Sequence, residues 1–156
     1  MDPKENSITV RPAEKGDLEY LFSLRNNPKV YSYFKNPRPV TLEEHTSWFE
    51  GVLKDNGSTI RLNIISFQGK KAGQLRFDRQ EDGSWEISIS IDPVFWGKHI
   101  AFSAIQSSLQ KKDNYVAHIH PENVGSMKLF EKLGFVFYED FKFKNVTFKR
   151  FLKRSS

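Results

Sequence analysis

The sequence predicts an α/β domain built on one mixed β-sheet with helices on both faces, its elements in the order β-α-α-β-β-β-α-β-α-β-β. Three observations predict it. Apolar residues recur at helical spacing in some segments and alternate with polar residues in others. Some strands follow one another directly, as hairpins require, and others are separated by helical segments, as crossovers require, so the sheet must be mixed. A chain of 156 residues can bury one core and is read as a single domain over 1–156.

Each element has its own signal. Ile8-Thr9-Val10-Arg11-Pro12 reads as a first strand closed by proline. Asp17 is placed to cap a helix carrying Leu18, Leu21, Phe22 and Leu24, which stops near Asn26-Asn27-Pro28. Thr41-Leu42-Glu43-Glu44 is a capping box, in which Thr41 takes one free amide and Glu44 reaches back to another. The helix it opens runs to about Leu53, and Asn56-Gly57 ends it. The period then falls to two. Segments 60–67 and 71–79 are strands about a Gln68-Gly69 turn, and 85–91 follows the turn Glu81-Asp82-Gly83. In that third strand Trp85, Ile87, Ile89 and Ile91 share one face, and Glu86, Ser88 and Ser90 the other. A helix over 100–111, a strand over 115–120 and a short helix over 123–132 come next, the last stopped by Gly134. Segments 135–143 and 146–152 close the chain as a hairpin about Lys144-Asn145.

The net charge of +5 favours anionic partners in general. The densest basic cluster, Lys142, Lys144, Lys149, Arg150, Lys153 and Arg154, is interleaved with Phe141, Phe143, Phe148 and Phe151. That alternation reads as two amphipathic strands rather than a nucleic-acid tail, so no nucleic-acid partner is expected. The absence of cysteine excludes disulfides and thiolate metal sites, and no metal centre is expected. No apolar run reaches the length of a membrane span, and the opening MDPKENS lacks a signal-peptide core. The expectation is a soluble cytoplasmic protein, monomer or homodimer, with no membrane partner.

The segment that carries chemistry is a strand, a short loop and a helix over 87–101, with the loop Trp96-Gly97-Lys98-His99 leading into Ile100-Ala101. Unpaired amides at a helix N-terminus carry partial positive charge, which suits a pyrophosphate, and Lys98 adds a full charge. An ordinary strand-to-helix connection has the same outline.

Two motifs then make the chain resemble the GCN5-related N-acetyltransferase superfamily over nearly its whole length. Trp96-Gly97-Lys98-His99-Ile100-Ala101 is similar to that family's phosphate loop, Arg/Gln-x-x-Gly-x-Gly/Ala. Asn123-Val124-Gly125-Ser126-Met127-Lys128-Leu129-Phe130-Glu131-Lys132-Leu133-Gly134-Phe135 is similar to its Asn-x-x-Ser/Ala-x-x-Leu-Tyr-Glu-Lys-Leu-Gly-Phe signature. Asp92-Pro93 and Phe95-Trp96-Gly97-Lys98 are worded like the branch that includes ribosomal-protein N-terminal acetyltransferases. The resemblance implies acetyl-coenzyme A as cofactor and transfer of its acetyl group to an amine, on a sheet splayed at the cofactor cleft. It implies that the backbone of Ile89, Ser90 and Ile91 pairs with the pantetheine arm, that 96–101 cradles the diphosphate, that Asn123 and Ser126 reach the arm, and that Phe130 lies along the thiol end. Two positions depart from the pattern. His99 stands where glycine is usual, and Phe130 where many relatives carry a tyrosine that protonates the leaving thiolate.

Attack of an amine on a thioester needs the amine neutral, so a base near neutrality helps. The candidates are His118, His120, Glu86 and His45. His118 precedes Asn123 by five residues, where some relatives carry a glutamate base, and imidazoles titrate in the useful range. Glu86 lies on the polar face of the strand leading to the cofactor, where it acts directly or through water. His118 and Glu86 are the expected catalytic pair. His45, Trp48 and Phe49 share one helix face, as a core stripe or as an acceptor-site wall.

Leu24-Arg25-Asn26, His45-x-x-Trp48-Phe49 and Gly73-Gln74-Leu75-Arg76-Phe77-Asp78 resemble a subgroup that acetylates nucleotide-linked amino sugars in pseudaminic-acid-type pathways. On that reading the acceptor is a small-molecule amine, a nucleotide-linked one foremost, held by Arg25, Asn26, Tyr31, His45, Trp48 and Arg76. Sugars stack on aromatic faces, and a diphosphate suits arginine. The alternatives are a protein N-terminal acetyltransferase and, given Phe130 and His99, a non-catalytic acyl-coenzyme A-binding module.

Overall fold

The computed structural model describes residues 7–156. The expected mixed sheet is present, with seven strands in the order β1-β2-β3-β4-β5-β7-β6. Strand β1 is Ile8–Pro12, β2 Ile60–Phe67, β3 Lys70–Arg79, β4 Trp85–Ile91, β5 Tyr115–Ile119, β6 Val136–Phe143 and β7 Val146–Lys153. Helix α1 is Leu18–Arg25, α2 Pro28–Tyr31, α3 Leu42–Asp55, α4 Ile100–Ser108 and α5 Val124–Lys132. Every neighbouring pair is antiparallel except β4–β5.

Local chemistry sets most boundaries. The Thr41 hydroxyl accepts from the Glu44 amide while Glu44 accepts from the Thr41 amide, so both arms of the capping box form. Asn56 ends α3 in the left-handed region with φ 51, where an amide side chain is better tolerated than most. Several readings of the sequence need correction. Asp17 stands before α1 but makes no side-chain cap; its carboxylate accepts from the Glu14 amide instead. Pro28 does more than stop α1: with Asn27 accepting from the Lys29 amide it starts the extra turn α2. Helix α4 ends at Ser108 rather than near Lys111, because Leu109 is extended at ψ 139 and the Ser107 and Ser108 hydroxyls both donate to the Ala104 carbonyl.

The sheet buries both faces. On one, α1 and α3 cover β2, with Leu21, Phe49, Val52, Leu62 and Ile64 in contact. On the other, α4 and α5 pack Ile100, Ala104, Ile105 and Phe130 against Leu75, Phe77, Trp85, Ile87 and Ala117. Gly73 lets β3 and β4 come together. A Cβ there would meet the Ser90 carbonyl oxygen at 2.2 Å, closer than any side chain permits. The expected alternation of β4 lapses at this point: Ser90 is buried, while Ile89 and Ile91 are partly exposed. Among the described residues no helix is long and apolar enough to cross a membrane.

Candidate active site

Strands β4 and β5 run parallel but pair only at Trp85 with Tyr115 and at Glu86 with Val116; beyond Glu86 they part. The Trp85 amide donates to the Asn114 carbonyl at 2.9 Å, on the β5 side. Strand alternation therefore turns the N–H and C=O of Ile87, Ile89 and Ile91 towards the opening. The Ile91 carbonyl is taken by the Trp96 indole N–H at 2.9 Å. A cleft of about 1370 Å³ passes through the gap.

The loop after β4 is shaped by its own side chains. Asp92 accepts from the Val94 amide at 3.1 Å, and the Trp96 indole folds back on Ile91. Gly97 has φ 81 and His99 φ 58, after which α4 begins at Ile100. A histidine in the left-handed region costs about 1 kcal/mol where glycine would cost nothing. The His99 side chain is exposed and makes no cap, as does that of Lys98 on the same rim. Across the gap Asn123 caps α5 by accepting from the Ser126 amide at 3.2 Å, and Phe130 is buried edge-on against Phe135 at 5.0 Å. All of 96–101, with Ile89, Ser90, Ile91, Asn123, Ser126 and Phe130, line the one cleft. An open strand edge, a positive-φ loop and a helix N-terminus in line fit an extended arm ending in a diphosphate, as the resemblance implies.

The face of β3, β4 and β5 away from α4 is polar where they meet the cleft: Gln74, Arg76 and Asp78, then Glu86 and Ser88, then His118 and His120. Arg25 of α1, His45 and Trp48 of α3, and Lys35 from the segment after α2 close over it.

Glu86 and His118 do meet. His118 Nδ1 is 3.0 Å from Glu86 Oε2, and the ring is stacked by Phe141 at 4.4 Å. Two residues missed in the sequence complete the group. Lys35 Nζ is 3.1 Å from Glu86 Oε2 and 3.1 Å from His118 Nδ1. Arg150 donates its Nε–H to His118 Nε2 at 3.0 Å and pairs with Glu139. Guanidinium and ammonium nitrogens only donate; the Arg150 bond makes Nε2 the acceptor, so Nδ1 carries the hydrogen towards Glu86 and Lys35 donates to Glu86 rather than to Nδ1. Burial pushes the Glu86 carboxyl up, but the hydrogen bond from His118 and the charge of Lys35 override it and hold it at about 2.

Deeper in the cleft His45 is buried among Phe22, Trp48 and Phe49, at ring separations of 5.4, 5.6 and 6.3 Å. Burial lowers its pKa, Arg25 adds to that, and a hydrogen bond with the Leu18 backbone opposes it, so it is neutral at pH 7. Its Nε2 has no hydrogen-bond partner, nor do Arg76 Nε and Asp78 Oδ1. Arg76 lies over the Trp48 ring at 5.6 Å with Asp78 Oδ2 3.2 Å from its Nε. Burial raises the Asp78 carboxyl against the pull of Arg76.

Of the remaining candidates, Arg25 both lines the cleft and braces its wall, while Asn26 and Tyr31 only hold it. Arg25 donates to the carbonyls of Arg38 and Asn36 at 2.9 and 3.3 Å and stacks on Phe34 and Tyr31. Asn26 and the Val40 backbone exchange two hydrogen bonds, at 2.9 and 2.8 Å. Asn26 and Tyr31 do not line the cleft. Their polar identity was legible, but the segment they fasten has no period to follow.

Comparison with known proteins agrees with this geometry. A family model described as an acetyltransferase (GNAT) domain matches residues 7–136. A Methanocaldococcus jannaschii protein, MJ1062, is 32 % identical over 85 % of this chain, which spans 28 % of that protein's length. The spore coat polysaccharide biosynthesis protein SpsD of Bacillus subtilis is 28 % identical over 80 % of this chain and 45 % of its own. The crystal structure of a Vibrio cholerae spermidine N-acetyltransferase, in complex with CoA and spermine, superposes with a TM-score of 0.80 at 22 % identity, covering 94 % of each chain.

Proposed function

Because the chain belongs to the GNAT acetyltransferase family, N-acetyltransferases that draw on acetyl-coenzyme A, we propose that its acceptor is a primary amine on a nucleotide-linked sugar. The observation that carries an amine acceptor is the parting of β4 and β5 next to a polar floor, with Glu86 at the last paired position. Acetyl-coenzyme A, when bound, supplies the thioester carbon that the amine attacks. The open edge at Ile89 and Ile91 holds its arm, the amides of 97–101 with Lys98 meet its diphosphate, and Asn123, Ser126 and Phe130 form the opposite wall.

In this reading Glu86 receives and orients the amine, and His118 orients Glu86. His118 is not the base, since Arg150 takes its free lone pair. With Lys35 beside it the Glu86 carboxyl is held at about 2, so it is ionised when the acceptor arrives; the amine's proton goes on to water and Glu86 acts mainly by positioning. Phe130 offers no proton, and the leaving thiolate takes its own from water.

The sugar follows from the deep end of the cleft. His45 Nε2 and Asp78 Oδ1 are unpaired in this part of the cleft, beside Trp48 and the Arg76 that lies over its ring and pairs with Asp78 Oδ2. A hydroxylated ring gives and takes hydrogen bonds at its edge and packs apolar C–H groups on an aromatic face. Arg25 and Lys29 at the rim suit a diphosphate. The likeness to the polysaccharide-biosynthesis relative supports the same acceptor. A polyamine is the second reading. Glu44, Asp78 and Glu86 line the cleft, and the superposable Vibrio enzyme is a spermidine acetyltransferase.

Thiol release from acetyl-coenzyme A, measured with nucleotide-linked amino sugars, polyamines and peptide N-termini, separates them. Amino sugars should give the highest kcat/KM. A tenfold or greater advantage for spermidine refutes the sugar reading, and no turnover with any amine refutes catalysis.

A further inference from the structure

Lys35 is the one group in the catalytic cluster that comes from neither the sheet nor a helix. It lies in the irregular segment 32–41 between α2 and α3, yet its ammonium reaches Glu86 Oε2 at 3.1 Å, contacting residues 51 and 83 positions away in sequence. The same ammonium lies over the rings of Phe141 and Phe143, at 5.2 and 5.9 Å from their centroids. Phe141 is already stacked by His118 and covered by Arg150, and neither ring lines the cleft, so the rings back the lysine while the Glu86 carboxylate is what faces the cleft as a partner for a primary ammonium. The site is partly buried, with the Lys35 and Glu86 side chains 29 % and 16 % exposed.

We propose that Glu86 is the seat for the acceptor's ammonium group, and that Lys35 is an internal occupant of it which the acceptor displaces. The proposal rests on the acetyltransferase reading of the cleft and adds how the acceptor is admitted. Segment 32–41 does not depend on Lys35 for its position. Its end is held by the paired hydrogen bonds between Asn26 and Val40, and its middle by Arg25 on the Asn36 and Arg38 carbonyls. Lys144 reaches the Asn36 side chain from the β6–β7 turn at 2.6 Å. With these fastenings in place the lysine can withdraw by rotating its own side chain. A side chain tethered beside its seat competes at an effective concentration of roughly millimolar or more. It therefore excludes weak cations and leaves the seat to an amine that the rest of the cleft also binds. Glu86 is paired with Lys35 before the acceptor arrives and with the acceptor's ammonium on binding, until the amine gives up its proton.

The test needs neither the true acceptor nor turnover. Binding of n-butylammonium chloride is measured by titration calorimetry to the wild-type protein and to Lys35→Ala, Lys35→Arg and the double variant Lys35→Ala/Glu86→Gln. Loss of the tethered competitor should tighten binding about tenfold or more in Lys35→Ala. Lys35→Arg, which keeps a cation on the tether, should stay close to wild type. The double variant should lose the gain, because the carboxylate is gone. Unchanged affinity in Lys35→Ala, or a gain that survives Glu86→Gln, overturns the proposal. Acetyl-coenzyme A titrated into the same samples keeps the two readings apart. If it binds all four proteins while butylammonium affinity does not change, only the seat is wrong. If it fails to bind wild type, the cleft assignment itself is wrong.

Discussion

At Glu86 the environment decides the chemistry more than the residue type does. A lone carboxylate in an apolar cleft would rise towards neutrality and serve as a base; this one is held at about 2 by His118 and Lys35. Replacing Glu86 with glutamine removes the group that orients the amine, and kcat/KM should fall about a hundredfold. Replacing His118 with alanine acts through Glu86 and should cost less, about tenfold. Because Glu86 is already ionised, Glu86→Gln should remove no limb from the kcat/KM profile between pH 6 and 9; a limb lost with His118→Ala would identify His118 as the base. Nitrogen-15 shifts of the His118 ring should report the Nδ1–H form. Phe130 offers a second test at this scale. It is 2 % exposed but lines the cleft, and Phe130→Tyr adds a hydroxyl to that wall. Turnover should hold or rise with an unchanged Tm, and a large loss of either shows that no room for the phenol exists.

Among the elements, β4 bears the most, because it serves two neighbours in different ways. Its pairing with β3 is continuous from Trp85 to Ile91, and Gly73 is what permits the close approach at the far end. A methyl group at Gly73 meets backbone, not a movable side chain. Gly73→Ala should cost about 1–3 kcal/mol in urea unfolding and also weaken coenzyme A affinity, since the displaced stretch is the one whose edge faces the cleft. Unchanged affinity in a folded variant would place the arm elsewhere. Elements of this kind show what a sequence discloses. The capping box at Thr41, the positive-φ turn at Gln68-Gly69 and the stop at Gly134 all have local causes and could be read directly. The strand-loop-helix outline over 87–101 was legible for the same reason. The cluster on Glu86 was only half legible. Lys35 and Arg150 reach it because β7 inserts between β5 and β6 and because the 32–41 segment folds over the sheet. No periodicity records either event. The lapse of alternation at Ser90 escaped notice because its cause, Gly73, lies on another strand.

Over the whole molecule, acid should act in two stages, through groups far apart. Asp17 is 2 % exposed and accepts from Arg11, Lys71 and the Glu14 amide. The hydrogen bond from Arg11 outweighs burial and, with Lys71, holds its carboxyl well below the usual range. A depressed carboxylate stabilises fully above its unfolded pKa of ~3.9 and loses that contribution as pH falls below it. His45 is displaced downwards by burial, so the unfolded chain takes up its proton first once pH drops below ~6.5, and stability falls there too. The urea midpoint should therefore decline gently below pH 6.5 and steeply below pH 4. His45→Gln should flatten the first stage; Asp17→Asn should lower the midpoint at pH 7 and flatten the second. A single acid transition unaffected by either change would contradict this. The parting of β4 from β5 has a mechanical consequence as well. Among the described residues, two backbone pairs are all that join β4 to β5 in the sheet, and so the four-stranded half, β1 to β4, to the three-stranded half, with the Glu86–His118 hydrogen bond beside them. The molecule is two leaves on a short spine, and whatever lies between them works as a stitch along the open seam. Amides of Ile87, Ile89 and Ile91 should exchange with deuterium faster than those of β2 and β3 in the free protein, and slow sharply once coenzyme A closes the seam.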